Sequence, residues 1–332
     1  MSNTEIINEL YEKIISNDDI QEVKSLLSQL THIENALVDG EHLIFHAVKS
    51  DNIAAASVIL CAGLDWNNMT TVDGYTLMEL AFINNNVHMI KKLEEFNIPL
   101  IFDTTNDSFY QPCFIKAAYE QKTDFMEYVV EKGFYPKGKD NDGNSALAIL
   151  FFRNTTGEYS YVVNKLAKIP EQIYAFNADN KSALSFATLT NDSGCAAVII
   201  RNCDTSKMNG NEIVDAFEMI KNNFEKENWR LSPVSLIDHI SNIDAFDKNE
   251  RTLLMSSVAK DNKWFSIELL NAGANWKIKN SNDETAISIA RKSFSQSTLL
   301  MLQDLEKSEP IVEKAKTPKK QKNDDDYGLH VI

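Results

Sequence analysis

Short apolar runs recur along the chain, each opened by a hydroxyl residue: "TLMELA" from Thr76, "SALAIL" from Ser145, "SALSFA" from Ser182, "TLLMSS" from Thr252 and "TAISIA" from Thr285. A Ser or Thr in this place accepts a hydrogen bond from an unpaired N–H of a helix's first turn, so each run predicts a short helix capped at its start. A polar break such as "INNN" or "AKDN" follows, and then a second helical stretch closed by Gly63, Gly133, Gly273 or Asn97. Glycine, and after it asparagine, adopts the left-handed conformation that ends a helix.

The pattern is periodic. Gly133 lies 70 residues after Gly63, Gly273 a further 140 on, and Asn97 stands 34 residues after Gly63. A parallel series of turn dipeptides, Asp39-Gly40, Asp73-Gly74 and Asp142-Gly143, is spaced by 34 and 69, with Asp179-Asn180, Lys248-Asn249 and Asn282-Asp283 in matching phases. Such dipeptides favour tight hairpins because Gly, Asn and Asp tolerate positive φ. A fixed period near 35 is the mark of a solenoid built from one supersecondary unit. The windows "LCAGLDWN" and "LNAGANWK" occupy one phase, which assigns Trp66 and Trp276 to packing between neighbouring units.

Turn, capped helix, second helix and Gly stop resemble the ankyrin repeat, whose pattern is Asp-x-x-Gly-x-Thr-Pro-Leu-His-x-Ala followed by Leu-Leu and Gly-Ala-Asp-x-Asn. Thr76-Leu77, Ser145-Ala146-Leu147, Ser182-Ala183-Leu184, Thr252-Leu253-Leu254 and Thr285-Ala286-Ile287 fall on the Thr-Pro-Leu segment; Gly63-Leu64-Asp65-Trp66-Asn67 and Gly273-Ala274-Asn275-Trp276 fall on the later one. No unit keeps the family's Pro or His. The resemblance implies an all-α, ankyrin-like repeat solenoid of paired short antiparallel helices with hairpin or turn tips over residues 1–307. About eight or nine units fit, with polar caps at both ends. Residues 150–178 and 205–245 depart from the period, and Ile213, Ala216, Phe217, Ile220 and Phe224 predict an unusually long amphipathic helix there. Residues 308–332 carry a basic run, an acidic run and few core-forming residues, and are expected to be a disordered tail ending in "YGLHVI".

A content of 43% hydrophobic and 24% charged residues fits a folded chain. A net charge of -15 disfavours a general pull toward nucleic acid or anionic lipid and suits a partner with a basic surface. No apolar stretch is long enough for a membrane helix, and the acidic start of the chain lacks the form of a secretory signal. Cys61, Cys113, Cys195 and Cys203 have no metal-binding spacing and are expected as buried thiols in a reducing, cytoplasmic setting. About a tenth of the residues are asparagine and only 11 are glycine, a bias of AT-rich genomes that points to a phage, an intracellular bacterium or a protist.

Motifs for nucleotide binding, zinc proteolysis and serine hydrolysis are absent. His42 and His46 share a helical face without a third ligand, and Glu94-Glu95 and Asp324–Asp326 read as solvated carboxylates. No catalytic residue, metal or cofactor is expected. The reading is a monomeric, non-catalytic protein-binding module whose concave surface recognises a protein partner; a phage or intracellular-bacterial factor engaging or inhibiting a host protein is its sharper form. The tip residues expected to make contact are Asp39, Glu41, Asp73, Tyr75, Asp142, Asn144, Lys248, Glu250, Asp283 and Glu284. The rivals are an enzyme or enzyme inhibitor with its site in the irregular middle region, and a structural assembly protein whose ends stack.

Overall fold

The computed structural model describes residues 2–17, 19–102, 107–153, 160–227 and 232–308. Trp229, the expected tail beyond Ser308 and the acidic run Asp324–Asp326 lie outside these residues.

The helices come in pairs. They are α1 (Asn3–Ser16) with α2 (Ile20–Leu27), α3 (Leu43–Lys49) with α4 (Ile53–Cys61), α5 (Leu77–Ile83) with α6 (Val87–Glu95), and α7 (Asp107–Tyr119) with α8 (Thr123–Glu131). Next come α9 (Ala146–Arg153) with α10 (Ser160–Leu166), the extra one-turn helix α11 (Pro170–Ile173), and α12 (Ala183–Leu189) with α13 (Ser193–Asn202). The last three pairs are α14 (Gly210–Glu227) with α15 (Pro233–Ile237), α16 (Leu253–Ala259) with α17 (Lys263–Asn271), and α18 (Ala286–Lys292) with α19 (Gln296–Ser308). First helices pack on first helices from α1 through α3, α5, α7, α9, α12, α14 and α16 to α18. Second helices pack likewise from α2 to α19, giving two layers joined by contacts within pairs such as α3 with α4, α12 with α13 and α16 with α17.

Local chemistry starts and stops many of the helices where the pattern predicts. Thr76 accepts from the Glu79 N–H at 3.2 Å while the Glu79 carboxylate accepts from the Thr76 N–H at 2.9 Å, a reciprocal cap. Ser182, Thr252 and Thr285 cap α12, α16 and α18, and Asn52, Asn86, Asp192 and Asn262 cap the second helices. Each such cap stabilises its helix by about 1 kcal/mol. Asn97, at φ 60°, ends its unit as Gly63 does at φ 89°. The first helices are closed by a second left-handed series, including Asp51, Asn85, Gln121, Asn191, Asp261 and Phe294.

The core runs unbroken between the layers. Phe82 is fully buried and meets Phe102, Tyr110, Phe125 and Phe134 at ring-centroid distances of 4.7 to 6.2 Å, tying the third and fourth pairs together. Trp66 and Trp276 are half-buried and pack against this core, in agreement with their assignment to inter-unit contacts. Both irregular stretches keep their places in the two rows. The long helix is α14, of 18 residues, set against an α15 of only 5. The extra helix α11 carries Gln172, which is fully buried; its amide donates to the Pro136 carbonyl at 3.1 Å and accepts from the Leu147 N–H at 3.0 Å. One expectation fails at Cys61, which is exposed, whereas Cys195 and Cys203 are buried and Cys113 half-buried.

Candidate functional site: turn tips and the first-helix face

At five junctions between units the chain makes a five-residue turn, and its first residue organises it. Asp140 is the clearest case. Its N–H donates to the Asn144 carbonyl at 3.0 Å, and its carboxylate accepts from the N–H groups of Asp142 and Asn144 at 2.9 and 2.8 Å and from the Asn144 amide at 2.9 Å. The Tyr119 hydroxyl donates to the same carboxylate at 2.6 Å. Burial raises the affinity of Asp140 for a proton, but these donors outweigh it and hold the group below the usual carboxylate range.

Thr71, Asn177, Asp247 and Asn280 repeat the arrangement, each accepting through its side chain from the N–H four residues on. The fourth residue of each turn, Gly74, Gly143, Asn180, Glu250 or Asp283, takes positive φ between 58° and 87°. The first tip is instead a two-residue hairpin, with β1 (Leu37–Val38) pairing antiparallel with β2 (Glu41–His42) across Asp39 and Gly40 at φ 50° and 81°.

This geometry sorts the ten expected contact residues. Asp39, Asp73, Asp142, Glu250 and Asp283 are exposed at the tips. Asp283 also receives Lys279 at 2.7 Å. Tyr75 is half-buried, with its ring 5.6 Å from that of Phe109. Glu284, on the same rim, is held below the usual carboxylate range by hydrogen bonds from Lys292 and Asn280.

Glu41 and Asn144 correct the expectation that they stand free: both are buried, 4% and 6% exposed. Glu41 pairs with Lys49 and accepts from the Val72 N–H at 3.2 Å, bridging two successive tips. Burial works against its charge, yet Lys49 and Val72 keep it below the usual range. Asn144 accepts from the Asn177 amide at 3.0 Å, another link between tips. Lys248 is exposed but reaches two units back, donating to Asn180 at 2.8 Å with its ammonium 3.3 Å from the centre of the Phe176 ring. Between α13 and α14 the chain makes only a 3-10 turn, Thr205–Lys207, in place of the five-residue turn.

A second surface escaped the pattern reading. At or near the ends of three first helices in the middle of the row stand Tyr119, Phe152 and Leu189, the last two seven positions after the caps Ser145 and Ser182. Phe152 and Leu189 are 39% and 66% exposed. The Phe152 ring lies 6.2 Å from Tyr119 and 5.2 Å from Phe186, a continuous aromatic line across α7, α9 and α12. Toward the ends of the same row, on α3 and α18, stand Lys49 and Lys292, each paired with a glutamate. For α9 and α12 the available signal was the phase itself: seven positions after the cap a solvent-facing residue is expected, yet Phe and Leu stand there.

The remaining ionisable groups serve the architecture. His42 caps α3, its Nδ1 accepting from the Ile44 N–H at 3.1 Å, which leaves Nε2–H to donate to the Ile33 carbonyl at 2.7 Å. Burial lowers its pKa. His46 lies 3.2 Å from the Val38 carbonyl. Glu94 accepts from Lys132 at 2.8 Å and from the Tyr128 hydroxyl, and Glu131 repeats this with Lys165 at 3.1 Å and Tyr161 at 2.9 Å. Among the described residues no group of three His, Cys, Asp or Glu is placed to hold a metal ion, and no helix is long and apolar enough to cross a membrane. Burial pushes the Cys203 thiol up to about 12, a value that opposes thiolate chemistry.

No family model and no curated protein matches this sequence. Among solved structures the chain is similar to an ankyrin repeat domain from Acinetobacter baumannii AYE, at 18% identity over 58% of this chain and 96% of that one, with a TM-score of 0.43. The paired helices, recurring capped turns and two-layer stacking make the protein an all-α, ankyrin-like repeat solenoid.

Proposed function

We propose that the protein is a non-catalytic binding module that seats a protein partner on its first-helix face and turn tips. The observation that carries this reading is the exposed pair Phe152 and Leu189, apolar side chains that the fold leaves uncovered beside the half-buried rings of Tyr119 and Phe186. Aromatic side chains held on rigid helices lose little entropy when they are covered, which is why they anchor interfaces. Asp39, Asp73, Asp142, Glu250 and Asp283 rim that face with negative charge, which together with the net charge of -15 suits a partner with a basic surface. Charge of this kind speeds encounter and selects partners more than it adds affinity. A cytoplasmic monomer acting on a host protein, without nucleic acid or membrane contact, is the form we favour.

The test is a photo-crosslinking residue placed at Phe152, and separately at the exposed Glu22 of α2, with capture from a lysate of the native host and mass spectrometry. A saturable protein caught from position 152 and missed from position 22 supports the reading. Capture at neither position, or equally at both, removes it.

A further inference from the structure

In the last helix pair one linking position changes character. The residue that closes a first helix in the left-handed conformation is Asp51, Asn85, Gln121, Asn191 or Asp261, and after α18 it is Phe294, all at φ between 52° and 58°. Asn and Asp tolerate this region, whereas a bulky side chain is an outlier in it. Four of the polar residues hydrogen-bond the following unit. The Asn86 amide donates to Asp51, the Asn85 amide to Glu120 at 2.9 Å, the Asn223 amide to Asn191 at 3.0 Å and the Thr298 N–H to Asp261 at 2.9 Å. Phe294 holds this place where no further unit follows among the described residues, and it is 89% exposed.

A terminal unit ordinarily turns a polar outer face to water. Here Phe294 and Leu300, the latter 61% exposed on α19, leave apolar surface open six residues apart, about 9 Å at the rise of a helix. An aromatic kept exposed on an outlying backbone conformation points to a group that covers it. Charge narrows what that group is. Arg291, whose carbonyl accepts from the Phe294 N–H at 3.3 Å, is exposed and has no ion pair among the described residues. An apolar segment with acidic neighbours fits both features.

Residues 309–332 contain such a segment. Asp324, Asp325 and Asp326 directly precede Tyr327, and Tyr327, Leu329 and Val331 alternate with Gly328, His330 and Ile332, so an extended chain would set the three on one face about 13 Å long. Length selects this segment over Ile311 and Val312. The 13 residues of α19 place Ser308 about 20 Å from Phe294. Val312 stands four residues beyond Ser308 and reaches about 13 Å, whereas Tyr327 stands 19 residues beyond it and reaches about 60 Å. We propose that residues 327–331 return along α19 and seat their apolar face on Phe294 and Leu300, with the preceding aspartates beside Arg291. The segment then covers the end of the stack in place of a further unit, independently of the partner face on the first helices.

The experiment places a photo-crosslinking benzoylphenylalanine at position 294 of the full chain, and separately at the exposed Glu22 of α2, and irradiates the purified protein at low and at high concentration. Mass spectrometry is expected to find residues 327–331 joined to position 294 within one chain, at a yield independent of concentration, and not joined to position 22. Leu329→Asp with Val331→Asp is expected to lower that yield about tenfold, or ~1.4 kcal/mol, and Arg291→Glu about threefold. Both changes lie outside the buried core, so the fold survives them. Absence of residues 327–331 from the cross-linked peptides, equal yields at the two positions, links between two chains that grow with concentration, or an unchanged yield in either variant overturns the proposal.

Discussion

The first-helix row carries one structural position through the stack, yet its ends and its middle treat that position in opposite ways. At the ends, Lys49 and Lys292 are tied to Glu41 and Glu284, and their charge is spent inside the protein. In the middle, Phe152 and Leu189 stand exposed with apolar neighbours and no such commitment. Glu41, paired with Lys49, holds two adjacent tips together, whereas the side chains in the middle keep their surface free. A repeat stack permits this because each unit contacts only its neighbours, so a surface residue is replaceable without disturbing distant units.

The sharpest way to break the contrast is the double substitution Phe152→Ala with Leu189→Ala. It is expected to weaken partner binding by about 2–4 kcal/mol, the range of interface anchors. The melting temperature should move little, and a large fall in it would place these side chains in the core instead of at an interface. Asp140→Ala attacks the scaffold behind the same face. Losing the acceptor for two backbone N–H groups, the Asn144 amide and the Tyr119 hydroxyl should cost about 2 kcal/mol in urea denaturation. An unchanged midpoint would show that water replaces the carboxylate at no cost.

At the end of the row, Lys49→Ala strands the buried Glu41 carboxylate. Because Lys49 itself is 42% exposed, the loss is screened to about 1–2 kcal/mol. Lys292→Ala, whose partner glutamate is more open to solvent, should leave the melting temperature unchanged. Equal effects of the two would erase the distinction between the bridge that joins two tips and the one on the rim.

The smallest effect is a pH dependence at His42. Its pKa is lowered in the folded protein, so the unfolded chain takes up the proton first. The stability this neutral cap contributes is therefore complete above about pH 6.5, the ordinary histidine value, and is lost as pH falls toward the lower folded value. Carboxylates such as Glu41 and Asp140, whose pKa values are lowered, lose their contribution only at more acid pH. Parallel denaturation midpoints between pH 7.5 and 5.5 for the parent and His42→Asn would remove His42 as the cause.

The helix pairs were legible because caps and stops are local chemistry. A Thr three residues before a matching Glu, or a Gly at the end of a second helix, acts within one turn of the chain. The tips were legible in position but not in role. Attention falls naturally on the Asp-Gly dipeptides, while the residue that organises the turn stands earlier, at Asp140, Asn177, Asp247 or Asn280. Its signal was present as the first Asp of the Asp-x-x-Gly pattern. Glu41 and Asn144 looked like tip residues because sequence gives a residue's distance from a turn and not what the next unit lays over it.

The sequence by itself therefore determined the period, the helix pairs, their ends and the acidic character of the surface, all of which follow from interactions between residues a few positions apart. Only the tertiary structure decided which polar tips are buried, which lysines are spent on neighbouring units and which aromatics remain open. Those outcomes depend on contacts across some 30 to 68 residues, such as Val72 with Glu41 and Lys248 with Asn180, where the stacking of one unit on another sets solvent access and charge pairing.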